Sequence, residues 1–268
     1  MHTSVSKGTA LITGASSGIG ALYADRLARA GFDLILVARR ADKLRTLADA
    51  LTTRTGRSIE VLAADLTDPA DVASIEDVLR TDASITMLVN NAGIGGTAPL
   101  LQSDIGEMDR MIALNVNAPT RLAYAAAPAF VARGHGTIVN IASIVAIAPE
   151  VLNGVYGGSK AFVLAFSQSL QHELADKGVR VQAVLPGATA TDFWDHAGTP
   201  VEHLPREIVM SAEAMVDAAL AGLALGEVVT IPSLPDIADW DAFESTRRAL
   251  TPKLSLATPA ARYAVSAA

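Results

Sequence analysis

Residues Thr9–Gly20 read TALITGASSGIG, a short apolar run that leads directly into a glycine-rich turn. A helical pattern of apolar residues begins near Ile19, and Gly31 is placed to end that helix. A second apolar run, DLILVARR, follows at residues 33–40. Strand, turn, helix and strand in this order form a βαβ unit, and strands this apolar are typical of a parallel sheet covered on both faces.

The turn has glycines at positions 14, 18 and 20. Without Cβ atoms the backbone can approach a pyrophosphate, and free N–H groups at the helix N-terminus favour an anion. The placement predicts a dinucleotide site, with an ordinary tight turn as the alternative. Gly14, Ser16 and Gly18 also fit the nucleophile elbow of serine hydrolases. That elbow needs an oxyanion loop upstream, and only thirteen residues precede Gly14, so we disfavour it.

The alternation of strand and helix continues along the chain. Further strands are predicted at residues 58–63, 85–90, 136–143, 179–185 and 227–231. Further helices are predicted at residues 40–54, 68–80, 104–133, 156–176, 211–225 and 239–250. Pro119 and Pro128 predict bends or breaks in the longest helix. The pattern predicts an α/β fold: a single doubly wound parallel sheet of Rossmann type with helices on both faces, in one domain over residues 1–268.

Two segments stand apart from this alternation. Residues 189–210 have no clear period, which predicts an active-site lid. Phe193 and Trp194 in this lid either give the pocket an apolar wall or pin the loop to the core. Residues from about 236 to 268 form a C-terminal extension.

The stretch Asn140–Lys160 reads NIASIVAIAPEVLNGVYGGSK. Tyr156 and Lys160 are four residues apart, so on a helix they share a face. An ammonium beside a phenol favours the phenolate and lowers its pKa towards the neutral range, and Ser143 offers a hydroxyl to orient a carbonyl. A buried tyrosine with a solvated lysine one turn on is the alternative for Tyr156 and Lys160 alone.

Composition narrows the function classes. The formal charge of −7 is spread along the 268 residues, which argues against nucleic acid or an anionic membrane as partner. The absence of cysteine excludes disulfides and thiolate chemistry and fits a cytoplasmic location. No apolar run approaches the ~20 residues of a membrane span, no signal peptide is evident, and the five histidines show no metal-ligand spacing.

A set of short motifs follows in a fixed order. These are Thr13-Gly14-x-x-x-Gly18-Ile19-Gly20, Asn90-Asn91-Ala92-Gly93, Asn115, Ser143, Tyr156-x-x-x-Lys160 and Pro186-Gly187. In order and spacing they match a classical short-chain dehydrogenase/reductase, and over about residues 7–235 the chain resembles that family. The resemblance departs at Gly157 and Gly158, where the family more often has a side chain and an alanine.

The resemblance implies catalytic roles. Tyr156 would be the general acid in carbonyl reduction and the base in alcohol oxidation, and Ser143 would hold the substrate oxygen. Lys160 would bind the nicotinamide ribose and depress the tyrosine pKa. Asn115 would hold a water that links Lys160 to solvent; a packing asparagine is the alternative.

The resemblance also implies a cofactor site. Asp65 and Leu66 match the adenine contact, although an aspartate that caps a loop is the alternative for Asp65. Thr189 and Thr191 match, more loosely, contacts to the carboxamide and phosphates. The full cofactor set is Gly14, Ser16, Ser17, Gly18, Ile19, Gly20, Arg39, Arg40, Asp65, Leu66, Asn91, Ala92, Gly93, Tyr156, Lys160, Pro186, Gly187, Thr189 and Thr191.

Cofactor choice depends on the end of the second strand. NAD-binding proteins of this architecture place an acidic residue ~20 residues past the glycines. Here Ala38 stands at that place and Arg39 and Arg40 follow, so two guanidiniums can meet a 2′-phosphate. The sequence therefore favours NADP(H) over NAD(H), with Arg39 the first choice. Ser17 stands where many NADP-using relatives have a second basic residue, so the preference is expected to be moderate.

These observations predict an NADP-dependent oxidoreductase acting on a carbonyl/alcohol pair: a ketone or aldehyde reductase, or a secondary alcohol dehydrogenase, with a hydrophobic substrate. The alternatives are an epimerase or dehydratase of the extended branch and a non-catalytic, cofactor-sensing protein. The resemblance implies a homodimer or homotetramer built through the two long helices. The Phe162 and Phe166 stripe permits such an interface but is equally explained as core.

Overall fold

The computed structural model describes residues 7–263 and contains a seven-stranded parallel sheet. The described strands are β1 (Thr9–Thr13), β2 (Asp33–Ala38), β3 (Ile59–Ala63), β4 (Ile85–Asn90), β5 (Gly136–Ile141), β6 (Val179–Val184), β7 (Thr189–Ala190), β8 (Met210–Ser211) and β9 (Val229–Thr230). The described α-helices are α1 (Gly18–Arg29), α2 (Ala41–Thr55), α3 (Pro69–Thr81), α4 (Ile105–Ile112), α5 (Ala118–Arg133), α6 (Gly154–Leu174), α7 (Phe193–Ala197), α8 (Ala212–Leu225) and α9 (Ile237–Ala249).

The strand order of the sheet is β3-β2-β1-β4-β5-β6-β9, and every pairing in it is parallel. The order reverses between β1 and β4. At such a switch point the loops at the carboxyl ends of the strands diverge and leave a crevice, where ligands bind in open α/β sheets. The predicted fold class is confirmed.

Alternate residues of β1 bury against opposite faces of the sheet, as a pleated strand requires. Ala10 and Ile12 belong to the core that packs α1, α2 and α8, and Leu11 belongs to the core that packs α3, α5 and α6. Both faces are therefore covered, which explains why the strands are continuously apolar.

The predicted helix over residues 104–133 is divided. A wider π-helical turn, Ala113–Asn117, separates α4 from α5. Pro119 lies in the first turn of α5, and it has no N–H to donate to the carbonyl of Asn115. Pro128 does not break α5, which continues through it, and a bend at Pro128 stays a prediction.

The segment predicted as an aperiodic lid contains regular structure. It holds the five-residue helix α7, and β7 at its start pairs in parallel with β8 at its end. The helix predicted from Tyr156 begins two residues earlier, at Gly154. No helix in residues 7–263 is long and apolar enough to cross a membrane.

The chain forms two compact units that divide between Pro232 and Ser233. The larger contains the sheet. The smaller contains α9, whose N-terminus is capped by Asp236, which accepts a hydrogen bond from the Ala238 N–H at 2.9 Å. The division falls near the start of the predicted C-terminal extension, and the single-domain assignment stays a prediction.

Candidate active site

Ser143 and Tyr156 meet at the carboxyl end of β5. Ser143 follows that strand in extended backbone, and Tyr156 lies in the first turn of α6. Burial raises the pKa of Tyr156 to about 12, and a side-chain hydrogen bond with Ser143 acts in the opposite direction. The pair presents a protonated phenol beside a second hydroxyl, which suits proton donation to a carbonyl oxygen.

Lys160 lies one turn further along α6 and is buried. Its Nζ donates to the Ile141 carbonyl at 2.9 Å and lies 5.8 Å from the centre of the Tyr156 ring. Burial lowers the pKa of Lys160 to about 8. The expected lowering of the tyrosine pKa by Lys160 is not met here, because burial dominates at Tyr156 and the ammonium is directed at the Ile141 carbonyl.

Asn115 lies in the π-helical turn and is buried. Its Oδ1 accepts from the Ile94 N–H at 3.0 Å, and its Nδ2 donates to the Ile94 carbonyl at 2.8 Å and to Ser159 Oγ at 3.1 Å. A Cβ on Gly93 would lie 3.2 Å from Asn115 Oδ1 and 3.4 Å from Lys160 Nζ. Glycine at position 93 therefore keeps the space beside the lysine open.

The glycine turn after β1 is closely packed. A Cβ on Gly20 would come within 2.3 Å of the Gly14 carbonyl oxygen, and Gly14 itself has a positive φ of 66°. Asn91 donates from Nδ2 to the carbonyl of Thr13 at 2.9 Å, which joins this turn to the loop after β4. Ser17 starts α1 without a side-chain cap, so the N–H groups of the first turn remain available for an anion.

Arg40 reaches the glycine turn. Its Nη2 donates to Ser16 Oγ at 3.3 Å and to Ser17 Oγ at 3.4 Å. Arg39 is exposed, and its charge contributes at Asp65. The structure thus places Arg40 on the glycine turn and Arg39 within electrostatic reach of Asp65, and their role at a 2′-phosphate stays a prediction.

Asp65 and Leu66 have local structural roles. Burial raises the pKa of Asp65, but hydrogen bonds from Thr67 and the charges of Arg39 and Arg110 outweigh it and lower the pKa. Asp65 Oδ1 accepts from the Thr67 N–H at 3.0 Å and from Thr67 Oγ1 at 2.8 Å, as the loop-capping alternative expects. Leu66 packs its side chain into the core, so a contact with adenine is left to its backbone.

The loop after β6 approaches both halves of the site. The Pro186 carbonyl accepts from Ser143 Oγ at 3.4 Å, and Thr189 Oγ1 donates to the Gly187 carbonyl at 3.1 Å. Thr191 lies beside the glycine turn, because a Cβ on Gly18 would be 3.3 Å from its Cγ2. Pro186 therefore contacts Ser143 and Thr191 contacts the start of α1, and the cofactor contacts implied for these four residues stay a prediction.

Phe193 and Trp194, the two aromatic residues of the lid, have different surroundings. Phe193 lies over the site, with its ring centre 5.7 Å from that of Tyr156 and its edge where a Cβ of Gly95 would stand. Trp194 is buried and its Nε1–H donates to the Thr189 carbonyl at 2.9 Å. Phe193 is thus placed beside Tyr156 where it could form the predicted apolar wall, and the indole of Trp194 is bonded to the first residue of the lid segment itself.

Asn153 is a site residue that the sequence reasoning missed. It is the N-cap of α6, and its Oδ1 accepts from the N–H groups of Val155 at 2.9 Å and Tyr156 at 3.3 Å. The available signal was an asparagine directly before the helix that carries the tyrosine. Of the two unusual glycines, Gly157 packs against Pro149, where a Cβ would lie 3.2 Å from backbone atoms, and Gly158 has open space.

Within the described residues, no group of three or more histidine, aspartate or glutamate side chains could hold a metal ion. The geometry instead assembles a hydroxyl donor pair, a buried lysine and an open helix N-terminus along one crevice.

Comparison with known proteins identifies related sequences and structures. The sequence pattern of the short chain dehydrogenase family matches residues 8–201. Serine 3-dehydrogenase from Rhizobium radiobacter is 36% identical over 191 residues, which cover 69% of this chain and 74% of that protein.

Two solved structures resemble the whole chain. A short-chain dehydrogenase from Sphingobium yanoikuyae, in complex with NADPH, is 50% identical with a TM-score of 0.93, over 96% of this chain and 100% of that one. The bulky-bulky ketone specific alcohol dehydrogenase from Comamonas testosteroni is 45% identical with a TM-score of 0.89, over 97% of this chain and 99% of that one.

Proposed function

Since the chain belongs to the short-chain dehydrogenase/reductase family and is an oxidoreductase of that family, we propose that it reduces ketones with two bulky, hydrophobic substituents at the expense of NADPH and oxidises the matching secondary alcohols. The observation that carries the carbonyl/alcohol chemistry is the hydrogen-bonded pair of Ser143 and Tyr156 beside the buried Lys160.

The residues present fit a dinucleotide. Gly14 and Gly20 leave a turn that Cβ atoms would block, and α1 begins without a side-chain cap. When bound, the reduced nicotinamide supplies the hydride that goes to the carbonyl carbon. Lys160 would hold the ribose hydroxyls from its position on α6.

Side chains of the protein would transfer the proton to the substrate oxygen. Ser143 Oγ orients the substrate oxygen, and Tyr156 Oη donates its proton to that oxygen as negative charge develops there. Lys160 returns a proton to Tyr156. The side chain of Asn115 is already bonded to Ile94 and Ser159. Pro119 has no N–H to donate to the backbone carbonyl of Asn115. We therefore assign the relay water to this backbone carbonyl.

Preference for NADPH is supported by charge. Ala38 ends β2 where an acidic residue would bind the ribose of NAD, and Arg39 and Arg40 follow it. Guanidiniums bind a 2′-phosphate with charge-assisted hydrogen bonds. The NADPH in the Sphingobium relative agrees with this preference.

The substrate class is supported by the wall above the tyrosine. Phe193, Ile94 and Met108 pack on the cluster that contains Tyr156 and Met111. An apolar wall of this kind favours large hydrophobic ketones over small polar ones, because burial of apolar surface drives binding. The specificity printed for the Comamonas relative points the same way.

A second copy of the chain is the proposed partner. On α5 and α6, Tyr124 and Phe162 remain 68% and 39% exposed, so the core explanation of Phe162 does not hold. Phe166 stacks between them, with ring centres 6.3 Å and 5.7 Å apart. This aromatic patch would be covered in a homodimer or homotetramer, and a shift to monomer in Tyr124→Glu, measured by sedimentation, tests it.

The test of function is NADPH consumption by the purified protein across a panel of carbonyl compounds, with Tyr156→Phe as control. Turnover of bulky ketones that the control lacks supports the proposal. NADPH binding without consumption of any carbonyl would favour a cofactor-sensing protein. Conversion of a sugar substrate without net NADPH consumption would favour an epimerase or dehydratase.

A further inference from the structure

A cavity of about 200 Å³ lies beside the site, between the loop that follows β4 and the lid helix α7. Half of the residues that line it are polar, Gln102 and His196 among them. Its apolar side comes from Ile94, Met108, Met111 and Ala197, with Gly95 and Gly96 between them. We propose that this cavity, here called the side cavity, is a subsite for one of the two substituents of the ketone, and that it takes an uncharged ring. The inference rests on the proposed ketone reduction.

The side cavity shares a wall with the tyrosine. Met111 is 2% exposed and packs in one cluster with Val145 and Tyr156, and Ile94 and Met108 pack against that cluster. A substituent on a carbonyl carbon held at Tyr156 can therefore extend along this wall into the cavity. Phe193, which packs on the same cluster, lies on the other side of Gly95 and bounds the path.

The size fits a ring. A cavity of ~150 Å³ lined by apolar side chains is enough to bind benzene, so about 200 Å³ admits a six-membered ring with a small substituent. Two of the lining residues are methionines, whose unbranched side chains adjust to ligand shape.

Several polar groups around the side cavity already have partners within the protein. Asn153 Nδ2 donates to the Ala98 carbonyl at 2.7 Å, Asp104 Oδ1 accepts from the Glu107 N–H at 3.1 Å, and Glu107 pairs with Arg110 at 2.9 Å. The carboxylates at the mouth also oppose an anionic substituent, which sets this site apart from one built for a charged substrate.

Gly96 sets the width of the side cavity. A Cβ on Gly96 would lie 3.4 Å from Met111 Cε and 4.0 Å from Met108 Cε, which is ordinary contact, and its φ is not in the left-handed region. An alanine there adds one methyl to the wall without backbone strain. Gly154, in contrast, has no atom within 4 Å of its added Cβ and does not itself line the cavity, so it provides a matched control.

The experiment compares wild type, Gly96→Ala and Gly154→Ala on two ketones that share one aryl group. The first has a methyl as its second substituent and the second has another uncharged aryl ring. One methyl group in a pocket is worth roughly 10- to 200-fold, so kcat/KM of Gly96→Ala for the diaryl ketone should fall at least about ten-fold. The aryl methyl ketone should be reduced as by wild type, and Gly154→Ala should reduce both normally.

Met108→Ala should have the opposite effect on the preference between the two ketones, because it enlarges the side cavity. It should raise the ratio of kcat/KM for the diaryl over the aryl methyl ketone, and it keeps the test decisive if Gly96→Ala folds poorly. Equal changes for the two ketones in both variants would overturn the subsite. Failure of the wild-type protein to reduce either ketone would instead overturn the proposed function.

Discussion

The side-chain oxygen of Asn153 accepts a hydrogen bond from the backbone N–H of Tyr156, with the two atoms 3.3 Å apart. On its other side, the Asn153 amide nitrogen donates to the Ala98 carbonyl at 2.7 Å and to Ser103 Oγ at 3.1 Å. One buried side chain therefore fixes the start of α6 to the loop that borders the side cavity. The position of the tyrosine and the shape of the pocket are set together.

Asn153→Ala should lower both stability and turnover. Loss of an N-cap costs ~1 kcal/mol in the free energy of unfolding, and a small displacement of Tyr156 should lower kcat by roughly ten- to hundred-fold. Asp68→Ala is the matched control, because Asp68 caps α3 by accepting from the Ala70 N–H at 2.7 Å, away from the site. Denaturant unfolding and steady-state kinetics measure both. An equal kcat in the two variants would show that Asn153 is a cap and nothing more.

Tyr156→Phe should lower kcat by about two to four orders of magnitude, since it removes the proton donor. Affinity for NADPH should change little, because the lost hydroxyl contacts Ser143 and not the glycine turn. Single-turnover kinetics and fluorescence titration separate the two effects. Near-normal turnover in this variant would sink the assignment of the acid.

Tyr23→Phe is the control for the loss of a buried phenol hydroxyl. Tyr23 is fully buried on α1, and its hydroxyl has no hydrogen-bond partner among residues 7–263. Removal of an unsatisfied buried hydroxyl should raise the free energy of unfolding by about 1 kcal/mol and leave kcat unchanged. A loss of stability would mean that this hydroxyl is hydrogen-bonded after all.

The lowered pKa of Lys160 predicts a pH dependence of stability. In the folded protein its pKa is about 8, against 10.5 as the ordinary value, so between these two values the unfolded chain binds more protons. The free energy of unfolding should then rise with pH by up to ~1.4 kcal/mol per unit from pH 8 towards pH 10. Lys160→Met should lack this rise. Urea unfolding of both proteins at several pH values gives the difference, and parallel curves would contradict the prediction.

The two arginines after β2 should differ in their effects. Arg39 is exposed and contacts neither serine of the glycine turn, so Arg39→Ala should weaken NADPH binding by roughly ten- to hundred-fold and leave NADH binding unchanged. Arg40 donates to Ser16 and Ser17, so Arg40→Ala should weaken both cofactors. Titration of each cofactor into each variant decides the matter. Equal affinities of wild type for NADPH and NADH would remove the basis for the proposed preference.

Much of the fold could be predicted because its signals are local. The strand at Ile85–Asn90 was predicted with the observed bounds, since a continuous apolar run between turn residues marks both ends. The Tyr156 and Lys160 pair followed from helical spacing, and the helix predicted at residues 68–80 is observed at Pro69–Thr81.

What could not be predicted depends on contacts between distant residues. The π-helical turn at Ala113–Asn117 has only five residues, which is too short for the apolar pattern to show a change of period. An aperiodic segment has no predictable face, so the sequence could not show which of Phe193 and Trp194 lies beside Tyr156. The pKa of Lys160 depends on burial by strands and loops far away in the sequence.

The fluorescence of Trp194 can report on the lid, because its indole lies in the lid and donates a hydrogen bond to the Thr189 carbonyl. The chain has only two tryptophans, and the other, Trp240, lies on α9 in the smaller unit. With Trp240 replaced by phenylalanine, the remaining emission would come from one indole whose ring is 5.6 Å from that of Phe193. Substrate entry that displaces Phe193 would then register as a change in intensity or wavelength, so stopped-flow fluorescence could time lid movement in the unlabelled protein.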